Sequence, residues 1–423
     1  MSVTVRRFWR GPFDVEALAI ESVEAAAAAA RRLAQARGAP DEIETTSELI
    51  AAAFAAPSHL RVDGRAPAQW APLSGFVRTR DGFLRTHANY PHHAEAITRA
   101  TGAADRPALD DTAASWRADD LEQAILEAGG VATRVRTHQE WRAHPHEQAT
   151  AADPWISRAA GAERPVLASA GPPLDGVRIL DLTRVLAGPS ATQLLACLGA
   201  DVLRVDPPRR PELTPQHLLT GMGKRSAVAD LADDAERVRA LAREADVVLI
   251  GYRPGSLERF GLSPEQISAD DPTTVVAQLC AWGDAGPWGE ERGFDSIVQA
   301  ATGIAEECGD GDQPGALPVQ ALDYATGARL AAAVMGMLAD ARGGIVRASL
   351  LGAARDLLAR PRRDAGAADP LGVPVVNLTT PHGEILAPPP PLLVGRRTIE
   401  RRVGGYGAAE LAWADQRTRI APG

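Results

Sequence analysis

The chain has 423 residues, 45% of them hydrophobic, which is the composition of an ordinary globular protein with room for two or three domains. Its formal net charge of −9 argues against a nucleic-acid partner but leaves room for a local basic patch that binds phosphate. No apolar run reaches the length of a membrane span, the opening MSVTVRRFWRGPFDVEAL holds no apolar signal core, and Cys197, Cys280 and Cys308 lack metal-like spacing, so a reduced, cytoplasmic protein without membrane contact is expected.

Residues 15–37 read as a helix with Leu18, Val23, Ala26, Ala30 and Leu33 on one face and Gly38 as its stop. A second helix is expected over 44–55. Residues 76–78 and 83–87 read as two short strands around an Asp81-Gly82 turn. A helix over 91–100 follows, then another over 121–128, ended by Gly129 and Gly130, and a strand over 131–135. Together, residues 1–150 are expected to form a small α/β unit.

Residues 151–175 hold several prolines and are expected as a linker. From Gly176 the pattern changes. Val177 to Leu182 is an apolar strand-like run, Thr183 to Gly188 a tight loop, and Pro189 stands where a helix would begin. The apolar positions Ala191 to Leu198 complete that helix, Gly199 stops it, and a second strand covers Val202 to Val205. Strand, loop, helix and strand within about thirty residues make a βαβ unit. In such a unit the loop and the helix N-terminus lie at the carboxyl edge of the sheet, where phosphate groups bind. Further strands over 247–250, 274–279 and 345–349 alternate with helices. The expected fold is therefore α/β, with a doubly wound, Rossmann-like parallel sheet over 176–358. The remaining 359–423 form a Pro- and Arg-rich tail, expected either to wrap a partner subunit or to be mobile.

The stretch LDLTRVLAGPSATQLLACLGADVLRVD resembles the opening of the class III CoA-transferases, a family that also holds the α-methylacyl-CoA racemases. The hairpin and helix of residues 70–102 are similar to the small domain of that family. In the family the small domain follows the large-domain opening, whereas here it precedes it, so the resemblance implies a permuted order of parts, such as a tandem duplication would leave. It also implies a homodimer and acyl-CoA and a carboxylic acid as substrates, with coenzyme A bound as the thioester and no metal.

The candidate nucleophile is Asp323, in PVQALDYATGARL. From the residues alone, an Asp just before a helix reads first as an N-cap. The resemblance places the family's nucleophilic aspartate at this position, and a helix N-terminus favours its ionised form. The resemblance further implies that Val185, Leu186, Ala187 and Ala229 lie against the nucleotide, with Arg259 and Arg292 near its phosphates. Core packing is the alternative for Val185, and a solvated surface charge for each arginine. Leu186 replaces a glutamine common in formyl-CoA transferases. Pro207 replaces an expected basic residue, so Arg204 or Arg209 would have to serve. Lys224 and Arg225, expected in a loop, fit either a phosphate contact or a structural ion pair. His87, His92 and His93 lack a matching set of metal ligands and are expected at the surface or as caps, with a role over the acyl group as a further option. Racemases carry a "GHD" wording where this chain has Gly293-Phe294-Asp295, and a phenylalanine cannot carry a proton. A non-catalytic CoA-binding or partner subunit is the remaining alternative.

Overall fold

The computed structural model describes residues 3–414 apart from 40, 41, 167, 170, 364 and 365. The end of the expected tail, 415–423, lies outside the described residues.

Six parallel strands carry the large body: β1 (Arg178–Leu182), β2 (Asp201–Asp206), β3 (Lys224–Val228), β4 (Val247–Ile250), β5 (Val275–Cys280) and β6 (Arg342–Ser349). Their order is 3-2-1-4-5-6, every neighbouring pair is parallel, and the order reverses between β1 and β4. This is a Rossmann-like arrangement, and the crevice beyond β1 and β4 is where such sheets bind ligands. The central strands read as apolar runs because both faces are covered: all four residues of β4 are buried. Lys224 and Arg225 belong to β3 rather than to a loop.

The expected linker carries structure. Ile156–Glu163 adds a seventh, antiparallel strand beside β6. It is an edge strand, half-buried to exposed, so its sequence ISRAAGAE shows no strong apolar pattern.

Helix α1 (Val15–Ala36) also departs from the expected small unit. It packs along the helix that carries Asp323, here α5 (Ala321–Ala339), through a face of Leu18, Ala19, Val23, Ala26, Ala30 and Leu33. Small alanines allow close approach, and α5 is buried almost all round as a result. Asp14 caps α1 by accepting from the Ala17 N–H at 2.9 Å.

The separate small body begins later in the chain. A hairpin of Gly75–Thr79 and Gly82–Thr86 pairs with Ala132–Arg134, and the helices α2 (Pro91–Thr101), Arg106–Ala113 and Ala118–Glu127 lie on it. Its core gathers Val77, Leu84, Ile97, Leu109, Leu121 and Ile125. The pairing of Thr79 with Gly82 makes Arg80-Asp81 the two-residue turn, one position earlier than expected. The described part of the tail is folded onto its own chain. Val376–Thr380 and Gly383–Ala387 form a hairpin that pairs with Arg61–Val62, and Leu393–Val394 pairs with Ile43–Glu44. Among the described residues no helix is long and apolar enough to cross a membrane.

Candidate active site

Three chain segments meet at the carboxyl edge of the sheet. The first is the loop after β1 leading into α3 (Ala187–Cys197), which starts two residues before Pro189. The second is the Gly293-Phe294-Asp295 turn that opens α4 (Asp295–Thr302). The third is the first turn of α5. Gly327 lets α5 approach α3, since a Cβ there would stand 2.3 Å from Ser190 Oγ and 2.5 Å from the Ala187 carbonyl oxygen. Its place in ALDYATG thus has a packing reason.

Asp323 is the third residue of α5, and Gln320 occupies the N-cap position without a side-chain cap bond. The capping expected of Asp323 is done from outside by Asp295. One carboxylate oxygen of Asp295 accepts from the backbone N–H of Leu322 at 2.9 Å and of Asp323 at 3.0 Å, and the other accepts from Gln299. Both aspartates are buried. Burial pushes the Asp295 carboxyl up to about 6. Burial, and then the nearby Asp295 charge, hold Asp323 well above the usual carboxylate range. The helix N-terminus therefore does not leave Asp323 an ordinary carboxylate, as the sequence suggested. Asp295 takes the backbone donors and Asp323 takes the desolvation.

Asp323 lies on the wall of two cavities, which also share Val185 and Phe294. The larger, about 320 Å³, is lined by Arg184, Arg210, Arg253 and Arg292. The smaller, about 50 Å³, is lined by Trp70, His87, Leu186 and Gln216 among others, with no arginine or lysine. Of the residues singled out in the sequence, Val185, Ala187, Arg292 and Asp323 meet in the larger cavity, and Leu186 joins Asp323 in the smaller. Ala229 and Arg259 are on neither wall. Ala229 is buried just past β3, its N–H donating to the Asp206 carbonyl, and the Arg259 guanidinium lies 4.5 Å over its neighbour Phe260 at the surface.

Val185 has φ +70°, a left-handed conformation in which a β-branched residue is an outlier. Its N–H donates to Glu212 at 2.9 Å. Glu212 also accepts from Arg204 at 2.8 Å and from the Tyr90 hydroxyl at the start of α2. One buried carboxylate thus ties the strained loop to the small body. Arg204, offered as a substitute phosphate contact, is only 2% exposed and held between Asp206 and Glu212, so it cannot reach a ligand. Arg209 is exposed and faces Asp230 at 3.5 Å. Lys224 takes the structural alternative. Its buried Nζ contacts Asp181 at 3.1 Å, the Pro189 carbonyl at 2.8 Å and Thr192 at 2.5 Å. Burial lowers its pKa to about 8. Arg225 pairs with Asp201.

His87 and His93 are buried rather than superficial, and burial pushes both down to about 3. The His87 ring stacks on Phe294 with centroids 3.7 Å apart and planes 7° apart, joining the hairpin to the α4 turn. His92 and His93 line the larger cavity. Among the described residues no group of three or more His, Cys, Asp or Glu could hold a metal ion.

Sequence reasoning missed Arg184, Arg210 and Arg253, which stand on three loops and converge only in the fold. Arg184 adjoins Val185 and was the one with a readable signal. It also missed Asp295, whose place at the start of a helix was visible.

Residues 174–370 match the sequence model of CoA-transferase family III. Over 182 residues the chain is 37% identical to the protein named probable fatty acyl-CoA transferase Rv3272 of Mycobacterium tuberculosis, covering 39% of this chain and 46% of that protein. It is 34% identical to a succinate–glutarate CoA-transferase of Agrobacterium fabrum, over 40% of this chain and 48% of that one. It is 30% identical to a formyl-CoA:oxalate CoA-transferase of Escherichia coli, over 47% and 53%. A crystal structure of Rv3272 aligns with 45% of this chain and 57% of its own at a TM-score of 0.42 and 34% identity. The chain spans about half the length of the curated relatives it matches. The β1–β6 body, with the Asp323 helix inside it, is the part of the chain that is similar to CoA-transferase family III.

Proposed function

We propose that the chain transfers CoA from an acyl-CoA thioester to a carboxylic acid through covalent intermediates on Asp323. The observation that carries this reading is the position of Asp323, on the common wall of a cavity with four arginines and a cavity with none. A CoA thioester has the same asymmetry, with phosphates at one end and an acyl carbon at the other.

In this reading the Asp323 carboxylate attacks the thioester carbonyl. The C–S bond breaks, CoA leaves as thiolate, and an acyl–aspartyl anhydride remains. The thiolate then attacks the aspartyl carbonyl, releasing the donor acid as carboxylate and leaving an aspartyl-CoA thioester. The acceptor carboxylate attacks that thioester and expels the thiolate. The thiolate attacks the new acyl carbonyl, and Asp323 is restored as carboxylate. Splitting one exchange into such steps retains the thioester's bond energy. The arginines of the larger cavity hold the phosphates, with Val185 and Ala187 against the nucleotide and Arg292 at the phosphate end. Leu186 faces the acyl side, and Ala229 and Arg259 receive no contact. Burial of Asp323 keeps water from intermediates that hydrolyse readily.

Transfer is favoured over racemisation because Phe294, flat on His87, offers no proton at the position where a racemase needs a second base. A cytoplasmic homodimer with its small body placed ahead of the large one completes the proposal, and sedimentation at micromolar concentration tests the dimer. The chemistry is tested by intact mass after addition of an acyl-CoA. An aspartyl-CoA adduct that hydroxylamine removes and Asp323→Asn lacks is expected. Absence of any adduct, together with transfer undiminished in Asp323→Asn, would reject it.

A further inference from the structure

We infer that the acyl group handled by this site is short and uncharged, and that dicarboxylic acids are poor substrates. The inference rests on the transferase reading above and concerns the smaller cavity.

That cavity is the space left for the acyl group once the phosphates occupy the arginine-lined side. Its walls are Leu60, Trp70, Leu186, Leu219 and Phe294, with Gln216 and Gln320 as neutral polar groups. His87 lines it too, and as a buried imidazole it stays neutral at physiological pH. The ionisable side chains remaining on the wall are Asp295 and Asp323, both carboxyls. Arg85 stands behind Trp70, its guanidinium 4.6 Å from that ring and 4.9 Å from Phe76, and is not part of the wall. Its charge faces Asp295.

A second carboxylate on the acyl chain would therefore enter a space with no cation on its wall and with the Asp295 carboxyl as neighbour. An unpaired charge is among the costliest groups to bury, and adjacent like charges add to the penalty. Size sets the other limit. With about 50 Å³ of space, the cavity has room for only a few water-sized groups, which a short chain fills and a fatty chain exceeds. The wall thus favours an unbranched or lightly branched monocarboxylic acid of a few carbons. The relatives named for succinate, glutarate and oxalate handle diacids, so this pocket is the place where specificity would diverge.

The test is a donor panel on the wild-type chain, with the Asp323 adduct and free-acid product read by mass spectrometry. Propionyl-, butyryl- and isobutyryl-CoA are compared with succinyl-, glutaryl- and palmitoyl-CoA. The short neutral donors should exceed the diacid and fatty donors in kcat/KM by at least roughly a hundredfold. Gln216→Arg should narrow the gap for glutaryl-CoA specifically, because it places a cation on the acyl wall. Succinyl- or glutaryl-CoA turning over as fast as butyryl-CoA, or palmitoyl-CoA as the best donor, would overturn the inference while leaving the transferase reading intact. No adduct with any of the six donors would instead overturn the transferase reading, and the inference with it.

Discussion

One carboxylate oxygen of Asp295 accepts from the backbone N–H of Asp323 at 3.0 Å, so the helix that presents the candidate nucleophile is capped by a neighbouring acid and not by the nucleophile itself. The cap and the chemistry are thereby placed on different residues, which makes them separable by substitution.

Asp323→Asn should abolish CoA transfer and the covalent adduct without loss of folding. No cap bond is removed, because Asp323 makes none, and a desolvated carboxyl beside another acid is replaced by a neutral amide. Thermal unfolding at pH 7 should show a melting temperature at or above that of the wild type. Asp295→Ala should do the reverse to the fold. It leaves two buried N–H groups without their acceptor, at a cost of about 1–3 kcal/mol for each unsatisfied group, and denaturant titration reads that loss.

Asp295→Asn addresses the pH dependence. In the proposed mechanism Asp323 must be ionised to attack, and burial followed by the Asp295 charge raises its pKa. Activity of the wild type should therefore rise with pH through a limb lying above the ordinary carboxylate range. Removing the like charge lowers the Asp323 pKa, so kcat/KM of Asp295→Asn should have its acid limb displaced to lower pH. The displacement is partial, because desolvation is the larger cause and remains. An unmoved limb would separate Asp295 from the titration of the nucleophile.

The contribution of Asp295 and Asp323 to stability should fall as pH rises through the same region. The Asp295 carboxyl titrates near 6 in the folded chain, above the unfolded value of about 3.9. Between those two values the native state holds a proton that the unfolded state has lost, so raising the pH across that window withdraws stability. Asp323, raised in the same direction, extends the fall toward higher pH. His87 and His93, held at about 3 by burial against an unfolded value of about 6.5, act in the opposite sense, so the acid pair is read by difference: the urea midpoint of Asp323→Asn relative to the wild type should rise from pH 4 to pH 8.

Asp181→Ala should destabilise the fold by about 3–5 kcal/mol, because it leaves the Lys224 ammonium buried and without its counter-charge. Urea unfolding reads this directly. For the phosphate side, Arg292→Ala should weaken CoA binding by about 1.5–3 kcal/mol, roughly ten- to a hundredfold, as expected for a lost charge-assisted contact. Arg259→Ala should leave binding nearly unchanged, since that guanidinium lies at the surface over Phe260. Calorimetric titration of CoA into each variant distinguishes them.

What was legible in the sequence follows from where each signal is carried. The central parallel strands could be read because both faces are buried, so Val247–Ile250 has no polar side to dilute the pattern, whereas β3, at the end of the sheet and opening on Lys224 and Arg225, was read as a loop. The edge strand Ile156–Glu163 could not, because half of its surface faces solvent and its neighbours are prolines and alanines. Asp323 stood out through the family wording around it. Arg184, Arg210 and Arg253 carry no shared motif, and only the reversal of strand order between β1 and β4 brings their loops together. Asp295 was read as part of a departed racemase wording, while its action falls on a helix more than twenty residues away in sequence.

The hairpin of Gly383–Ala387 finds its third strand in Arg61–Val62, and Asp63 donates its N–H to the Glu384 carbonyl at 2.8 Å. On a ribosome, residue 61 emerges some three hundred positions before its partner. The early segment must wait through nearly the whole of translation with an apolar helix face already made and its counterpart α5 still unwritten. Contacts so distant in sequence form late and slowly. The alanine-rich face of α1, mild in hydrophobicity, suits a segment with so long a wait, and a chain truncated before residue 387 would release two regions at once, one at each end.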